Sequence, residues 1–366
     1  MQIKIKVCEF LEILNKVKHI AKPEKSCPAL TNGLFETNGN CVKVTVSSLT
    51  NYAVVSAPAE IIEPGKCLIE IGKLATILST LSGEAVIEEK DNVIWIKCGN
   101  TKCRLEKKTL SEYPENLFNT KETQCSFKIT SSALVEGFKK TEKFTSELAN
   151  GILNSVNIKV ENNMVKFAAT DGSRLSSVIK ATETPDVYCD IIIPLDAVSN
   201  LLPLILSGGD VEISTNESIC KFEIGTGREA AQGNIIFCTR LIDGQYPKFE
   251  QLIPKESAIS FSLNKEELKN VLDRIGVVET KDDQCRVMFS IKGAMAVVEA
   301  KDYKCNDILT LSEKSGEDIS FVLNRVFLAA VLNVLSTDTV KFNMNTPRSA
   351  VLFPDMEHNY LVMPMA

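Results

Sequence analysis

Apolar and polar positions alternate at the start of the chain, where Ile3, Ile5 and Val7 are separated by Lys4 and Lys6; the period then lengthens, and Phe10, Leu11, Leu14 and Val17 recur at helical spacing. Such a switch predicts a strand running into an amphipathic helix. It returns at Phe127 and Ile129 followed by Leu134 and Phe138, and at Phe261 and Leu263 followed by Leu268, Val271, Leu272 and Ile275. A second strand–helix–strand module follows in each copy. Leu68 to Ile71 leads into Leu74, Ile77, Leu78 and Leu81, then Gly83 and a strand at Ala85 to Ile87. Its counterparts run from Ile191–Ile193 through Leu201, Leu204 and Gly208-Gly209 to Val211, and from Ile319–Leu323 through Phe327, Val331 and Leu335 to Val340.

The spacing of these modules is regular. Phe10 and Leu134 stand 124 residues apart, as do Leu81 and Ile205, and the next intervals are 134 (Leu134 to Leu268) and 130 (Ile205 to Leu335). A segment between the modules recurs with them, at Val44–Val55, Ala169–Ile179 and Glu299–Leu309. This period exceeds the roughly 20 to 50 residues of a solenoid unit and equals a domain, which predicts triplication of a domain. Asn32-Gly33, Asn38-Gly39-Asn40, Glu161-Asn162-Asn163 and Ile291-Lys292-Gly293 read as hairpin turns between short strands. Each copy then holds two helices and about eight strands, an α+β unit with helices on one face of antiparallel sheets. The Pro-containing segments after Tyr113-Pro114 and from Pro247 to Pro254 set the expected boundaries at 1–123, 124–255 and 256–366.

Composition narrows the classes. The 366 residues are 44% hydrophobic and 24% charged, as in ordinary globular proteins. Apolar stretches such as Leu201–Leu206 fall short of the ~20 residues of a membrane span, and Met1–Lys6 lacks the apolar core of a signal peptide, so a cytoplasmic location is expected. Twelve cysteines include no CxxC pair, the nearest being Cys98 and Cys103, and the only histidines are His19 and His358; no zinc site or other metal is expected. Cys67, Cys189, Cys220 and Cys238 lie in apolar runs and read as reduced core thiols.

Candidate chemistry is sparse. Gly225-Thr226-Gly227-Arg228-Glu229-Ala230 matches the weak form of a dinucleotide fingerprint, but Gln232-Gly233-Asn234 and the β-rich Ile235–Cys238 follow where a helix is required, which favours a hairpin. Asp171-Gly172-Ser173-Arg174 has no nearby histidine to act as a base and reads as a turn, although Arg174 in a strand-like run asks for a partner or ligand. Basic residues recur at the first helix of each copy: Lys16, Lys18 and Lys22 follow its apolar stripe in the first, Lys139, Lys140 and Lys143 occupy it in the second, and Lys265, Lys269 and Arg274 in the third. One such run means a solvated face, but three aligned copies would make a basic surface in a chain of net charge −6, suited to a phosphate backbone without base reading.

Three stretches carry a resemblance: Ala168-Ala169-Thr170-Asp171-Gly172-Ser173-Arg174-Leu175, Thr239-Arg240-Leu241-Ile242-Asp243-Gly244-Gln245-Tyr246-Pro247 and Tyr360-Leu361-Val362-Met363-Pro364-Met365. In order and spacing they resemble the bacterial DNA polymerase III beta subunits, the sliding clamps. The resemblance implies three tandem clamp-type domains, closed head to tail with a second copy into a homodimeric ring whose helices face duplex DNA, read without sequence preference. It implies no catalysis and no cofactor. It also implies a peptide cleft between the second and third domains for the replicative polymerase, the clamp loader and repair proteins. Carried over, that cleft comprises Leu153, Thr170, Gly172, Ser173, Arg174, Leu175, Pro247, Gln251 and Leu252, with Asn324, Phe327, Arg348, Ala350, Leu361, Met363, Pro364 and Met365. Ser173 stands where many members have His, Gln251 where Arg is common and Phe327 where Tyr is common, and the chain stops at Ala366 without the usual basic ending. These departures bear on partner strength and selection. Glu24 stands near a basic DNA contact of some members, so Lys25 is expected to take that part. Two other readings stand beside this one: a dinucleotide-binding enzyme, which the secondary structure disfavours, and a peptide-binding scaffold or diverged paralogue without a main replication role.

Overall fold

A computed structural model of the chain describes every residue except 24, 26, 114–117, 119–122, 147–150, 183, 185, 206–208, 226–234, 281–283, 301–303 and 366. Each anticipated strand runs directly into its helix. Gln2–Lys6 enters α1 (Val7–Val17), Lys66–Glu70 enters α2 (Ile71–Leu78), and Cys125–Thr130 enters α3 (Ser131–Thr141). Cys189–Pro194 enters α4 (Leu195–Ile205), Ile259–Asn264 enters α5 (Lys265–Val278) and Ile319–Asn324 enters α6 (Arg325–Val334). With no loop between strand and helix, the last strand residue becomes the cap. Asn264 Oδ1 accepts from Glu267 N at 3.0 Å, and Asn324 Oδ1 accepts from Val326 N and Phe327 N at 2.9 and 3.2 Å. α2 ends at Leu78 rather than Leu81, where the Ser79 and Thr80 hydroxyls donate to the carbonyls of Thr76 and Ile77.

The chain gathers into two compact units: Met1–Val135 with Glu161–Asn163 and Ala181–Asp243, and Glu136–Val160 with Met164–Lys180 and Gly244–Ala366. Both draw on the central repeat. In unit one, Gln2–Lys6 pairs with Glu60–Glu63 on one side and Glu84–Lys90 on the other, and Val93–Cys98 and Thr101–Glu106 complete a five-stranded sheet. Its second sheet runs Cys125–Thr130, Asp210–Thr215, Ile219–Ile224, Ile235–Arg240, Asn51–Pro58, Cys41–Ser47, Asn32–Asn38, Lys66–Glu70. Strands of the second repeat thus extend a sheet of the first, through the pairing of Thr239 with Asn51 and Cys238 with Tyr52. α1 packs on α2 and α4 through a stripe of Val7, Phe10, Leu14 and Val17, all buried, with Phe10 stacked on Phe35.

Unit two repeats the device. Ser155–Glu161, Met164–Thr170, Arg174–Ala181, His358–Val362, Val351–Asp355, Thr339–Met344, Ile259–Asn264 and Glu313–Ser315 follow one another in one sheet. A smaller sheet runs Asn306–Thr310, Met295–Ala300, Arg286–Lys292, Ile319–Asn324. α5 packs on α6, and the core is aromatic, with Phe261 stacked on Phe342 at 4.7 Å and Phe289 on Phe321 at 5.2 Å.

Most of the expected turns form. Gly39 (φ 58°), Asn162 and Asn163 (φ 51° and 61°) and Gly293 (φ 54°) supply the left-handed backbone of tight hairpins. Asn32-Gly33 does not turn: both lie in the Asn32–Asn38 strand, where a Cβ on Gly33 would sit 2.5 Å from Ile71 Cδ1, so the glycine admits a side chain. Gly225 follows a strand that pairs antiparallel with Ile235–Arg240, Ile224 opposite Ile235, which is a hairpin and not a Rossmann crossover; residues 226–230 of the fingerprint lie outside those described. Cys67, Cys189, Cys220 and Cys238 are buried free thiols. No helix is long and apolar enough to cross a membrane among the described residues.

Candidate docking site and basic helices

The turn between Met164–Thr170 and Arg174–Ala181 is held by its own polar side chains. Asp171 Oδ1 accepts from Ser173 N and Arg174 N at 2.8 and 2.9 Å, and Gly172 supplies a φ of 90°. Thr170 Oγ1 accepts from Gly172 N and donates to Arg174 O. Asp171 Oδ2 also accepts from Arg174 Nε at 2.8 Å, which fixes the guanidinium in place. The planar cation lies 4.6 Å from the centre of the Phe327 ring and 5.7 Å from that of Phe144, and Phe144 stacks on Tyr360.

Four further segments join this centre. Arg174 and Leu175 pair with Val362 and Leu361, and beyond them Met363 N donates to Ser173 O at 2.8 Å. Met365 N donates to Val322 O at 2.8 Å, so the tail is tied down on both sides of Pro364, which has no N–H to give. The Tyr246 hydroxyl accepts from Thr170 N at 3.1 Å, and Lys166 pairs with Glu250, which brings the segment of Pro247, Gln251 and Leu252 to the same strands. Burial pushes the Tyr246 phenol up to about 12, so it stays neutral. Ser146 N donates to the carbonyl of Leu153, and Ile152 fills the space above Gly244.

Among the described residues the surface around the Arg174 guanidinium is largely apolar. Leu252 and Met363 are 64% and 44% exposed, Phe327, Leu153, Ala350, Pro364 and Met365 are half-buried, and Thr170, Leu175 and Leu361 form the floor. Ala350 adjoins Val351, which pairs with Val362. Arg348 is exposed in a turn closed by Ser349 and Thr346, and no contact described here ties it to the cluster. Phe144, Tyr246 and Tyr360 pack into this cluster and are absent from the sequence-derived set. Tyr246 and Tyr360 stood in the diagnostic stretches; Phe144 carried no signal.

The basic residues fare unevenly. Lys18, Lys25, Lys139 and Lys269 are exposed, and Lys143 is exposed with Glu142 Oε1 3.7 Å from its Nζ. Lys16 pairs with Glu12, Lys22 Nζ donates to Asp196 Oδ1 at 2.7 Å, and Arg274 grips Asp307 Oδ2 through Nε and Nη2, so each is partly neutralised. Lys265 donates to the carbonyl of Leu335. Lys140 departs from expectation: it is 9% exposed, and its Nζ reaches Ser336 Oγ at 2.8 Å, Glu136 Oε1 at 3.1 Å and Asp355 Oδ2 at 3.4 Å. A buried ammonium with three partners is a structural ion and not a phosphate contact. Glu24 lies outside the described residues. Among the described residues no group of three His, Cys, Asp or Glu is placed to hold a metal ion.

The fold is that of the sliding clamps. A DNA polymerase III subunit beta from Pseudomonas aeruginosa bound to griselimycin superposes with a TM-score of 0.91 at 20% identity, over 100% of this chain and 99% of that one. A sliding clamp from Bacillus subtilis gives 0.90 at 21% identity with the same coverage. Residues 128–248 match the family model for the DNA polymerase III beta subunit, central domain, and residues 250–366 that for its C-terminal domain. This chain belongs to the DNA polymerase III beta-subunit family. It is 26% identical to the beta sliding clamp of Synechococcus elongatus over 96% of both chains, and 24% identical to that of Haemophilus influenzae over the whole of both.

Proposed function

We propose that this chain is a DNA sliding clamp, a non-enzymatic processivity factor that closes head to tail with a second copy and tethers a DNA polymerase to duplex DNA. The observation that carries the reading is the full-length match to a family of clamps, on a chain whose three strand–helix repeats each present exposed lysines: Lys18, Lys139 and Lys269. Weak, screened phosphate contacts suit a ring that is held by topology and must slide. The Arg174–Phe327–Met363 surface supports the second half of the function. Its exposed and half-buried Leu, Met and Phe side chains suit short linear motifs of the replicative polymerase, the clamp loader and repair proteins.

Retention on DNA of different topology tests the reading. A clamp stays on a nicked circular duplex at physiological salt and leaves when the circle is cut, whereas an ordinary DNA-binding protein remains on the linear form. Equal retention on circle and line, or none on either in the presence of a clamp loader, overturns it. Partial neutralisation of Lys16, Lys22 and Arg274 favours the alternative of a peptide-binding scaffold or paralogue without a main replication role, which predicts the second outcome with intact peptide binding.

A further inference from the structure

Two thiols of the middle repeat meet at the starts of its strand–helix modules. Cys125 is the first residue of Cys125–Thr130, which enters α3, and Cys189 is the first of Cys189–Pro194, which enters α4. Both belong to unit one, and their side chains are hydrogen-bond partners. Their exposure differs. Cys189 is 4% exposed, whereas Cys125 is half-buried on the outermost strand of the eight-stranded sheet, within reach of a small solute. The outer edge of that strand is crossed by the segment that leads to Cys189: Lys128 N donates to Thr184 Oγ1 at 2.8 Å, and Thr182 Oγ1 donates to Lys128 O at 2.7 Å.

The neighbouring cysteines are not placed to compete for Cys125. Cys125 and Cys220 both stand opposite Thr215, one on each side of the Asp210–Thr215 strand, so two strand spacings, roughly 9.5 Å, separate their Cα atoms. A disulfide needs Cα atoms within about 7 Å. Cys238 stands opposite Lys221, one position from the pair of Cys220 with Thr239, and therefore projects from the other face of the sheet. The two partners also differ in acidity. Burial raises both thiols, but the hydrogen bond from Cys189 offsets part of this at Cys125, while Cys125 beside it raises Cys189 further. Cys125 is thus the first to ionise as well as the one nearer solvent.

We infer that Cys125 and Cys189 form an oxidation site, which a low-molecular-weight disulfide converts to a reversible protein disulfide. The Cys125 thiolate attacks one sulfur of the reagent RSSR; a bond from Cys125 Sγ to SR forms and RS− leaves. The Cys189 thiolate then attacks Cys125 Sγ and expels the second RS−. The two thiol protons pass to the two departing thiolates, so the protein gives up two electrons and RSSR becomes two RSH. The new bond fastens the segment 182–189 across a strand edge that hydrogen bonds to Lys128 otherwise hold, until an external thiol reverses the exchange.

The test incubates the full-length protein with oxidised glutathione at about pH 8, where exchange takes up to hours, then blocks the remaining thiols and maps peptides by mass spectrometry without reduction. Exposed Cys8 reports that the reagent was active. The expected result is a cross-linked pair of Cys125 and Cys189, lighter by two hydrogens than the separate peptides and lost on addition of dithiothreitol. Cys189→Ala should leave Cys125 carrying one glutathione, and Cys125→Ala should leave Cys189 unmodified. In the oxidised parent, hydrogen exchange over residues 125–130 should slow about tenfold or more relative to the reduced protein. Glutathione on Cys125 of the parent without a cross-link, or a cross-link through Cys220 or Cys238, overturns the pairing. Both thiols unmodified while Cys8 reacts overturns the site, and a cross-link that leaves exchange unchanged overturns the fastening.

Discussion

Replacing Lys140 with methionine removes an ion from the interior and leaves its partner behind. Asp355 is wholly buried; its Oδ2 accepts from Lys140 and, at 3.0 Å, from Ser336 N, while its Oδ1 already lacks a partner among the described residues. Without the ammonium the carboxylate retains a single N–H donor. Breaking a buried pair from one side costs about 3–5 kcal/mol, a large share of the roughly 5–15 kcal/mol that holds a typical domain together. Hydrogen exchange read by mass spectrometry over peptides covering 355–362 should therefore show the His358–Val362 strand opening with a free energy lower by that amount. Lys140→Met with Asp355→Asn removes the orphaned charge and should recover at least about 2 kcal/mol, a coupling expected only of groups in contact. Lys139→Met, one residue away and exposed, should stay within about 0.5 kcal/mol of the parent. A Lys140→Met protein as protected as Lys139→Met would refute the assignment of Lys140 as a structural ion.

Charge reversal at Lys139, Lys143 and Lys269 should weaken duplex association at low salt and flatten its salt dependence by about one unit of log–log slope per lost phosphate contact, measured by fluorescence anisotropy. Phe327→Ala should strip one face from the Arg174 guanidinium and weaken peptide binding about tenfold with the fold intact, since Phe327 is only half-buried; unchanged affinity would separate that ring from the site. Burial, with Lys140 and Lys180 nearby, holds His358 below the usual histidine range, and burial does the same to His19 beside Lys18 and Lys22. Both are then neutral in the fold and bind protons more readily unfolded, so stability is full above the unfolded value near 6.5 and falls as pH drops toward the depressed folded values. His358→Asn, which keeps an acceptor for Ile179 N, should reduce the loss of denaturation midpoint between about pH 7.5 and 5.5. Burial pushes the Cys67 and Cys238 thiols up to about 12, so mass-spectrometric mapping at about pH 8 should find exposed Cys8 alkylated well before either.

The regular strand–helix switches were legible because each is local: about ten residues of pattern suffice to place α1 or α5. The turn and tail that form the candidate surface stood in the sequence as motifs, and the structure gives their local residues a geometric reason. Asp171 and Gly172 are there to close a turn, and Pro364 sits between two tethered N–H groups. What escaped the sequence was pairing over long separations. Lys140 reads as one more basic helix residue until Ser336 and Asp355, about two hundred residues later, close around it. Asp196 and Asp307 neutralise Lys22 and Arg274 in the same way, so a tally of lysines overstates the free positive charge. Asn32-Gly33 misled because glycine serves turns and close strand packing alike, and only the position of Ile71 separates the two.

The sheet that runs from Ile235–Arg240 into Asn51–Pro58, and the one that runs from Arg174–Ala181 into His358–Val362, give the middle repeat an unusual standing. Cut out as residues 124–255, it would lose a neighbour from each and bare two rows of unpaired backbone N–H and C=O groups, the template on which chains stack into aggregates. The middle third of this chain would therefore bare two such edges when excised, where either terminal third would bare one.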